Sequence, residues 1–238
     1  YEPEFYAMGS LKLAALQSYN HDVDCICASP WLSQLMQTNH NLWATPFHLA
    51  YDKEIYNQDN ITRQNSNEVF KIAFYARHFT ERRAVELGLL ALEQLGKWGL
   101  PIEVHTFGAP LKTNSAPFKL VDHGVVSPSQ LAEFYKDCDL GIVFSATNYS
   151  LIPQEMMACG IPVCELDTES TRAIFNEDIV KFLNPNPRIM AEQIKSLLFK
   201  YEELNAMAER ATEWVNQFSW EKSARIVEQG ILERLAEK

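Results

Sequence analysis

The chain has no run of about 18 apolar residues, so nothing in it reads as a membrane-spanning helix. A charged-then-apolar leader is also missing, and residue 1 is Tyr rather than Met, so the sequence reads as cut or processed from a longer protein. Positive charge is scarce: 21 Lys and Arg stand against 31 Asp and Glu, a formal net charge of −10. Nucleic-acid binders carry a basic footprint, and its absence argues against that class. An anionic ligand would need local basic groups or helix N-termini set against the overall field. The cysteines (Cys25, Cys27, Cys138, Cys159 and Cys164) are odd in number and lie in apolar segments. They read as reduced core residues of a cytoplasmic protein, and Cys25-x-Cys27 lacks the second ligand pair that zinc would require. No internal repeat is visible.

What is present is ordinary globular composition, 47% hydrophobic and 22% charged, in 238 residues that can hold one domain plus part of another. From Val69 onward short apolar runs alternate with amphipathic stretches. VFKIAFYA, IEVHTFG, FKLVDHG, DLGIVFS, IPVCEL and IVKFL read as strands. RRAVELGLLALEQLGKW and SPSQLAEFYKDC read as helices, the second with Ser127 as N-cap and Pro128 at the first helical position. Helices from Arg188 to about Lys238 close the series. This alternation predicts an α/β fold with a doubly wound parallel sheet of roughly six strands.

Residues 1–52 hold too few elements for a closed domain: VDCICAS as a strand, PWLSQLMQ as a helix and LWATPFHLAYD as an extended piece. They are expected to be the last part of a preceding domain. Residues 53–67, polar and rich in Asn and Gln, are expected to form a linker. Residues 68–218 are then the ligand-binding domain and 219–238 a C-terminal helix that crosses back to the preceding domain.

In an open parallel sheet, ligands bind beyond the carboxyl ends of the strands. The turn after DLGIVFS lies there and feeds a helix beginning between Ser150 and Pro153, whose free amides and positive end suit a phosphate. Glu155, just inside that helix, has two readings. It can point sideways at sugar hydroxyls, or simply favour the helix N-terminus.

The run S-x-x-x-Y-S-L-x-P-x-E-x-x-A-x-G-x-P-V, Ser145 to Val163, resembles the donor-site signature of retaining glycosyltransferases with the GT-B fold. In that family the turn reads Glu-Gly-Phe-Gly-Leu and a second Glu follows in the helix. Asn148-Tyr149-Ser150-Leu151 matches the Gly-Phe-Gly-Leu part and Glu155 the second glutamate. The resemblance extends from about Phe70 to Trp220 and includes FSWEK, Phe218 to Lys222. It implies a Rossmann-like donor domain in which Glu155 holds the nucleotide ribose. The amides of Tyr149, Ser150 and Leu151 would meet the diphosphate or sugar.

Thr147 replaces the first glutamate, which in the family contacts the transferred sugar, and this favours a 6-deoxy or otherwise unusual donor. EPEFY near the start, PWLSQLM, and FYAR followed by a helix resemble bacterial rhamnosyltransferases of surface-polysaccharide assembly. That resemblance implies dTDP-L-rhamnose as donor. It also implies that Arg77, assisted by Arg82 or Arg83, neutralises the donor diphosphate without a metal or other cofactor. The base would sit at His123-Gly124-Val125, held by the Val125 backbone with His123 beside it.

The expected partners are a nucleotide-sugar donor and a glycan or lipid-linked glycan acceptor. The expected setting is cytoplasmic, at the inner face of the plasma membrane through parts of the protein beyond this chain. A non-catalytic donor-binding module and a nucleotide-sugar 2-epimerase are the competing functions. Asp137-Cys138-Asp139 matches a metal motif of the other glycosyltransferase fold, but it joins a helix end to a strand at the amino side of the sheet. No metal is expected there. His105, inside a strand, reads as a satisfied core histidine.

Overall fold

The computed structural model describes residues 9–59, 61, 69–111 and 115–237. The EPEFY stretch, residues 60 and 62–67 of the expected linker, and residue 68 lie outside them. Along the chain come α1 (Gly9–Ser18), β1 (Cys25–Cys27), α2 (Pro30–His40), β2 (Ala44–Pro46) and β3 (Phe70–Tyr75). A 3₁₀ turn (Glu81–Arg83) precedes α3 (Val85–Lys97), β4 (Ile102–Phe107), β5 (Lys119–Asp122) and α4 (Pro128–Lys136). Then follow β6 (Leu140–Ile142), α5 (Ile152–Ala158), β7 (Val163–Leu166), α6 (Glu169–Arg172) and β8 (Val180–Leu183). Three helices end the chain: α7 (Pro187–Leu198), α8 (Tyr201–Val215) and α9 (Trp220–Glu237).

The six strands β3–β8 form one parallel sheet in the order β5-β4-β3-β6-β7-β8. This is the doubly wound α/β architecture that the alternating pattern predicts. The chain winds outward from β3 to β5, returns, and winds outward again from β6 to β8. The topological switch therefore falls between β3 and β6, where the loops leaving two adjacent strands diverge and open a crevice.

Period-two alternation splits the core between the two faces of the sheet. Phe70, Ile72 and Phe74 pack with Leu92, Leu95 and Ile194 of α3 and α7. Ala73 and Tyr75 pack with Phe107, Tyr135, Met156, Val163 and Ala211 on the other face. Each such side chain, removed from water, stabilises the fold by roughly 1.5–3 kcal/mol. The start of α4 is as the sequence predicts: Ser127 and Gln130 form a reciprocal capping box with Pro128 in the first turn. DLGIVFS makes a shorter strand than its apolar run suggests. Val143 N still bonds Cys164 O at 3.0 Å, but Phe144 and Ser145 bend away, and Arg83 Nη1 bonds to both.

Gly88 lets α3 approach the sheet, since a Cβ there would stand 2.4 Å from Phe74 Cζ and 3.0 Å from Phe144 Cε2. Gly88→Ala gains about 1 kcal/mol of helix propensity but overpacks a filled interface at about 1–3 kcal/mol. Phe74 is held edge-on by Phe144, so overpacking wins. A net loss of up to about 2 kcal/mol in urea unfolding is expected. An unchanged midpoint would mean that the Phe74 ring yields.

The short parallel pair β1–β2 is joined to the C-terminal helix. Gly230 of α9 lies against Thr45, Arg234 Nε donates to Asp24 Oδ1 at 2.9 Å, and the Arg234 guanidinium covers the Trp43 ring. Ser223 Oγ donates to His48 O at 2.5 Å. Farther along, Tyr51 Oη donates to Asn216 Oδ1 at 2.8 Å and Gln58 Nε2 to Thr212 Oγ1 at 2.9 Å. Residues 48–58 thus run along α8 and the start of α9. No described helix is long and apolar enough to cross a membrane.

Candidate functional site

Beyond Tyr75 the chain turns through Arg77 and Thr80 into the 3₁₀ turn, and Ala84 takes a left-handed conformation at φ 42°. Ala146 N donates to Arg82 O at 2.9 Å, which ties this loop to the one leaving β6. Arg77 is exposed with its guanidinium 4.9 Å from the Phe79 ring, Arg82 is half-buried, and Arg83 is buried. Arg83 Nη1 donates to Ser145 Oγ at 2.7 Å and Phe144 O at 3.3 Å. Burial lowers the Arg83 pKa, and the nearby Arg82 and Arg77 charges act in the same direction against Glu165 and Tyr75. In a chain of net charge −10, three arginines thus stand on the loop that leaves β3 at the switch point, near enough for the Arg82 and Arg77 charges to act on Arg83.

The Arg83 bond continues inward. Ser145 Oγ donates to Glu165 Oε1 at 2.8 Å, and Leu166 N reaches Glu165 Oε2 at 3.1 Å. Glu165 is fully buried on β7, and burial pushes its carboxyl up to about 8 against those donors and the Arg83 charge. Sequence reading gave Glu165 no role. Its signal was a carboxylate inside the apolar run IPVCEL, a place where charge is rare unless paired. Arg83, read there with Arg82 as an alternative assistant to Arg77, is buried and reaches the β6 loop.

Glu155 lies on α5 with 9% exposure, and its Oε2 has no hydrogen-bond partner among the described residues. Burial raises its pKa to about 7, with the neighbouring Tyr56 hydroxyl pulling the other way. Tyr135 completes the surroundings: its ring stands 6.3 Å from that of Tyr56, and its buried hydroxyl also lacks a partner among the described residues. Tyr149 Oη accepts from Leu49 N and Gln154 Nε2 donates to Leu49 O, each at 3.1 Å. The Leu49 backbone is thus clamped from both sides of the signature turn.

The expectation of outward-facing amides on the first turn of α5 is corrected. Ile152 N bonds Ser150 Oγ at 3.3 Å, Pro153 has no N–H, and the amides of Gln154 and Glu155 both bond Leu151 O. The amides without an acceptor among the described residues are those of Tyr149, Ser150 and Leu151, just before the helix. Thr147 is buried with an unpartnered Oγ1 among the described residues, and Asn148 is half-buried. Val125 is 78% exposed and His123 half-buried, both beyond β5 and away from the arginines.

Asp137 and Asp139 serve the opposite end of the sheet. Asp137 Oδ2 pairs with Lys71 Nζ at 2.6 Å, and Asp139 Oδ2 accepts from Lys71 N at 2.7 Å. Among the described residues no group of three or more His, Cys, Asp or Glu side chains could hold a metal ion. Surface concavities also lie around β8, α7 and α8, where Lys181, Gln193 and Glu203 line them.

A family described as WsaF, C-terminal domain, matches residues 70–195, more than half of the chain. The chain belongs to that family. The matched span of this WsaF-type domain runs from β3 into α7 and includes Arg77, Arg83, Glu155 and Glu165. The chain is also 28% identical over 237 residues to the O-antigen biosynthesis protein RfbC of Myxococcus xanthus. That match covers 98% of this chain but only 18% of the relative.

Among solved structures, sucrose-phosphate synthase from Thermosynechococcus elongatus superposes with a TM-score of 0.75 at 16% identity, over 100% of this chain and 64% of that one. Anabaena Alr3699/HepE in complex with UDP and glucose gives 0.72 at 15%, over 100% and 69%. At such identities the likeness establishes the fold. The WsaF-type domain has the Rossmann-like architecture of GT-B glycosyltransferases.

Proposed function

We propose that this WsaF-type domain binds a nucleoside-diphosphate sugar at the β3/β6 switch point, as the donor half of a GT-B glycosyltransferase that builds a surface polysaccharide. The grouping of Arg77, Arg82 and Arg83 on the loop leaving β3 carries the reading, because it concentrates cationic charge where a doubly wound sheet binds ligands, against a strongly negative chain. The free amides of Tyr149, Ser150 and Leu151 supply further donors to a diphosphate. Glu155 Oε2, buried and unpartnered among the described residues, is an acceptor for ribose hydroxyls. The O-antigen role in the relative's name and the UDP and glucose in the HepE complex support the same reading.

L-Rhamnose from dTDP-L-rhamnose is the proposed donor sugar, with the small Thr147 in place of a glutamate beside the sugar. Retention of anomeric configuration, and a glycan or lipid-linked glycan acceptor at the inner face of the membrane, complete the proposal. The guanidiniums supply the positive field for the leaving diphosphate, so sugar transfer is expected to persist in EDTA. Loss on chelation, restored by manganese or magnesium, would overturn that part.

The deciding experiment is calorimetric titration of nucleoside diphosphates into the wild type and a folded Glu155→Ala variant. A loss of about 1.5–3 kcal/mol is expected, the range for a charged hydrogen bond. Unchanged affinity would reduce Glu155 to a helix-end charge, and tight binding without any transfer would favour a non-catalytic module.

A further inference from the structure

The stretch that leads from β2 toward the six-stranded sheet meets the donor turn and α5 at three places. Leu49 N donates to Tyr149 Oη and Leu49 O accepts from Gln154 Nε2, each at 3.1 Å. Farther on, Tyr56 is 5% exposed and its hydroxyl neighbours the Glu155 carboxyl. Bonds on both sides fix that seat. Tyr51 Oη donates to Asn216 Oδ1 at 2.8 Å before it, and Gln58 Nε2 to Thr212 Oγ1 at 2.9 Å after it. Lys136 Nζ of α4 donates to Asn57 Oδ1 at 3.2 Å. The Tyr56 ring stacks on that of Tyr135, with centroids 6.3 Å and planes 27° apart.

Both tyrosine hydroxyls add something that a phenylalanine would not. Tyr149 stands where the donor signature has Phe, and the Leu49 bond is what its hydroxyl contributes. The Tyr56 hydroxyl meets a carboxyl with little other support. Glu155 Oε2 is buried without a partner among the described residues, as is Tyr135 Oη. Burial raises the Glu155 value to about 7, and the Tyr56 hydroxyl acts against that rise. The charges of Asp52, Glu133 and Lys136 stand around the segment, the last two 3.6 Å apart. Burial also raises Tyr56, Tyr135 and Cys159, so these groups stay neutral while Glu155 titrates.

We infer that residues 49–56, arriving from outside the sheet domain, form part of the donor site. Leu49 braces the turn whose amides meet the diphosphate, and Tyr56 is a positioning residue that holds the Glu155 carboxylate for the ribose. The inference rests on the donor-site reading above and adds what regulates that site: the seating of this segment sets the grip on the donor. A carboxylate can accept from two ribose hydroxyls, whereas the acid gives up part of that capacity to its own proton. Donor binding below a pH of about 7 therefore releases a proton from Glu155 to solvent.

The test is calorimetric titration of UDP-glucose and dTDP-L-rhamnose into the protein from about pH 5.5 to 8.5, a range in which the diphosphate of a sugar diester keeps its charge. Affinity is expected to rise through a midpoint near 7, and Glu155→Gln should flatten the profile. Tyr56→Phe, which keeps a ring on Tyr135, should move the midpoint up by about half a unit to one unit. That is a loss of about three- to tenfold on the acid side, fading at high pH. Tyr149→Phe should weaken binding about three- to tenfold at every pH and leave the midpoint in place. A flat wild-type profile, or a Tyr56→Phe profile that is unmoved or lowered equally at all pH values, would overturn the role of Tyr56. Unchanged affinity in Tyr149→Phe would overturn the Leu49 brace. Each of these results leaves the donor site standing. Failure of both sugar donors and of their nucleoside diphosphates to bind would overturn the donor site itself, and this inference with it.

Discussion

Replacing Arg83 with Met is expected to cost about 3–5 kcal/mol of folding stability at pH 9 and clearly less at pH 5. The charge of Arg83 is the cation that faces Glu165 through Ser145, and both side chains are buried. Without it a carboxylate is left in the interior with two hydrogen bonds and no counter-charge. Acid relieves that state by protonating the carboxyl. Glu165 in the folded chain already stands at about 8 against an ordinary 4.5, so the stability tied to it is fully present below 4.5 and is lost as pH rises through 8. Removing the cation pushes the folded value higher and steepens the loss on the alkaline side. The double variant Arg83→Met with Glu165→Gln should recover most of the deficit, because a neutral amide can still accept from the Ser145 hydroxyl. Urea unfolding at the two pH values checks this. An equal loss at both would mean that Arg83 acts by packing over the Tyr75 ring.

Arg77→Ala is expected to lower sugar-transfer turnover by about 10²–10³-fold, the scale of removing one preorganised charge donor, while weakening donor binding less than about tenfold. Unlike Arg83, Arg77 is exposed and lies over Phe79 at the crevice mouth, free to meet a ligand. Its removal should therefore leave the fold intact. The asymmetry follows from the chemistry of the leaving group, which bears more negative charge in the transition state than in the bound donor. Turnover and donor dissociation constant, measured on the same variant, separate the cases. Equal falls in both would make Arg77 a uniform binding group.

The sheet was legible because its strands announce themselves as apolar runs between amphipathic helices, and α4 because Ser127-Pro128 is a local capping signal. Glu155 could be located by its place in the signature turn. Its neighbour Tyr56 could not, since it comes from a polar stretch that read as linker. The Arg83–Ser145–Glu165 chain was hidden for a related reason. Each member looks ordinary in its own segment, and only the crossover from β3 to β6 and the pairing of β6 with β7 bring them together. His105 read as a satisfied core histidine. It is buried, but its Nε2 has no hydrogen-bond partner among the described residues. Its stacking on His123 depends on the register of β4 with β5, which places His105 beside Val121. Local pattern identifies elements; side chains that meet across strand order do not appear in it.

The pairing of β1–β2 with α9 also bears on how the polypeptide matures. Leu49 is held by a residue 100 positions away, His48 by one 175 away, and Asp24 by one 210 away. Contacts of such separation form late, because the closure entropy of the intervening chain must be met before they contribute. On a ribosome the β1–β2 unit emerges before the six-stranded sheet, yet its C-terminal partner α9 emerges after it. During that interval Asp24, Trp43 and Thr45 lack the Arg234 and Gly230 of α9 that meet them in the finished fold. Within this chain the β1–β2 unit is thus made early and completed only when α9 docks.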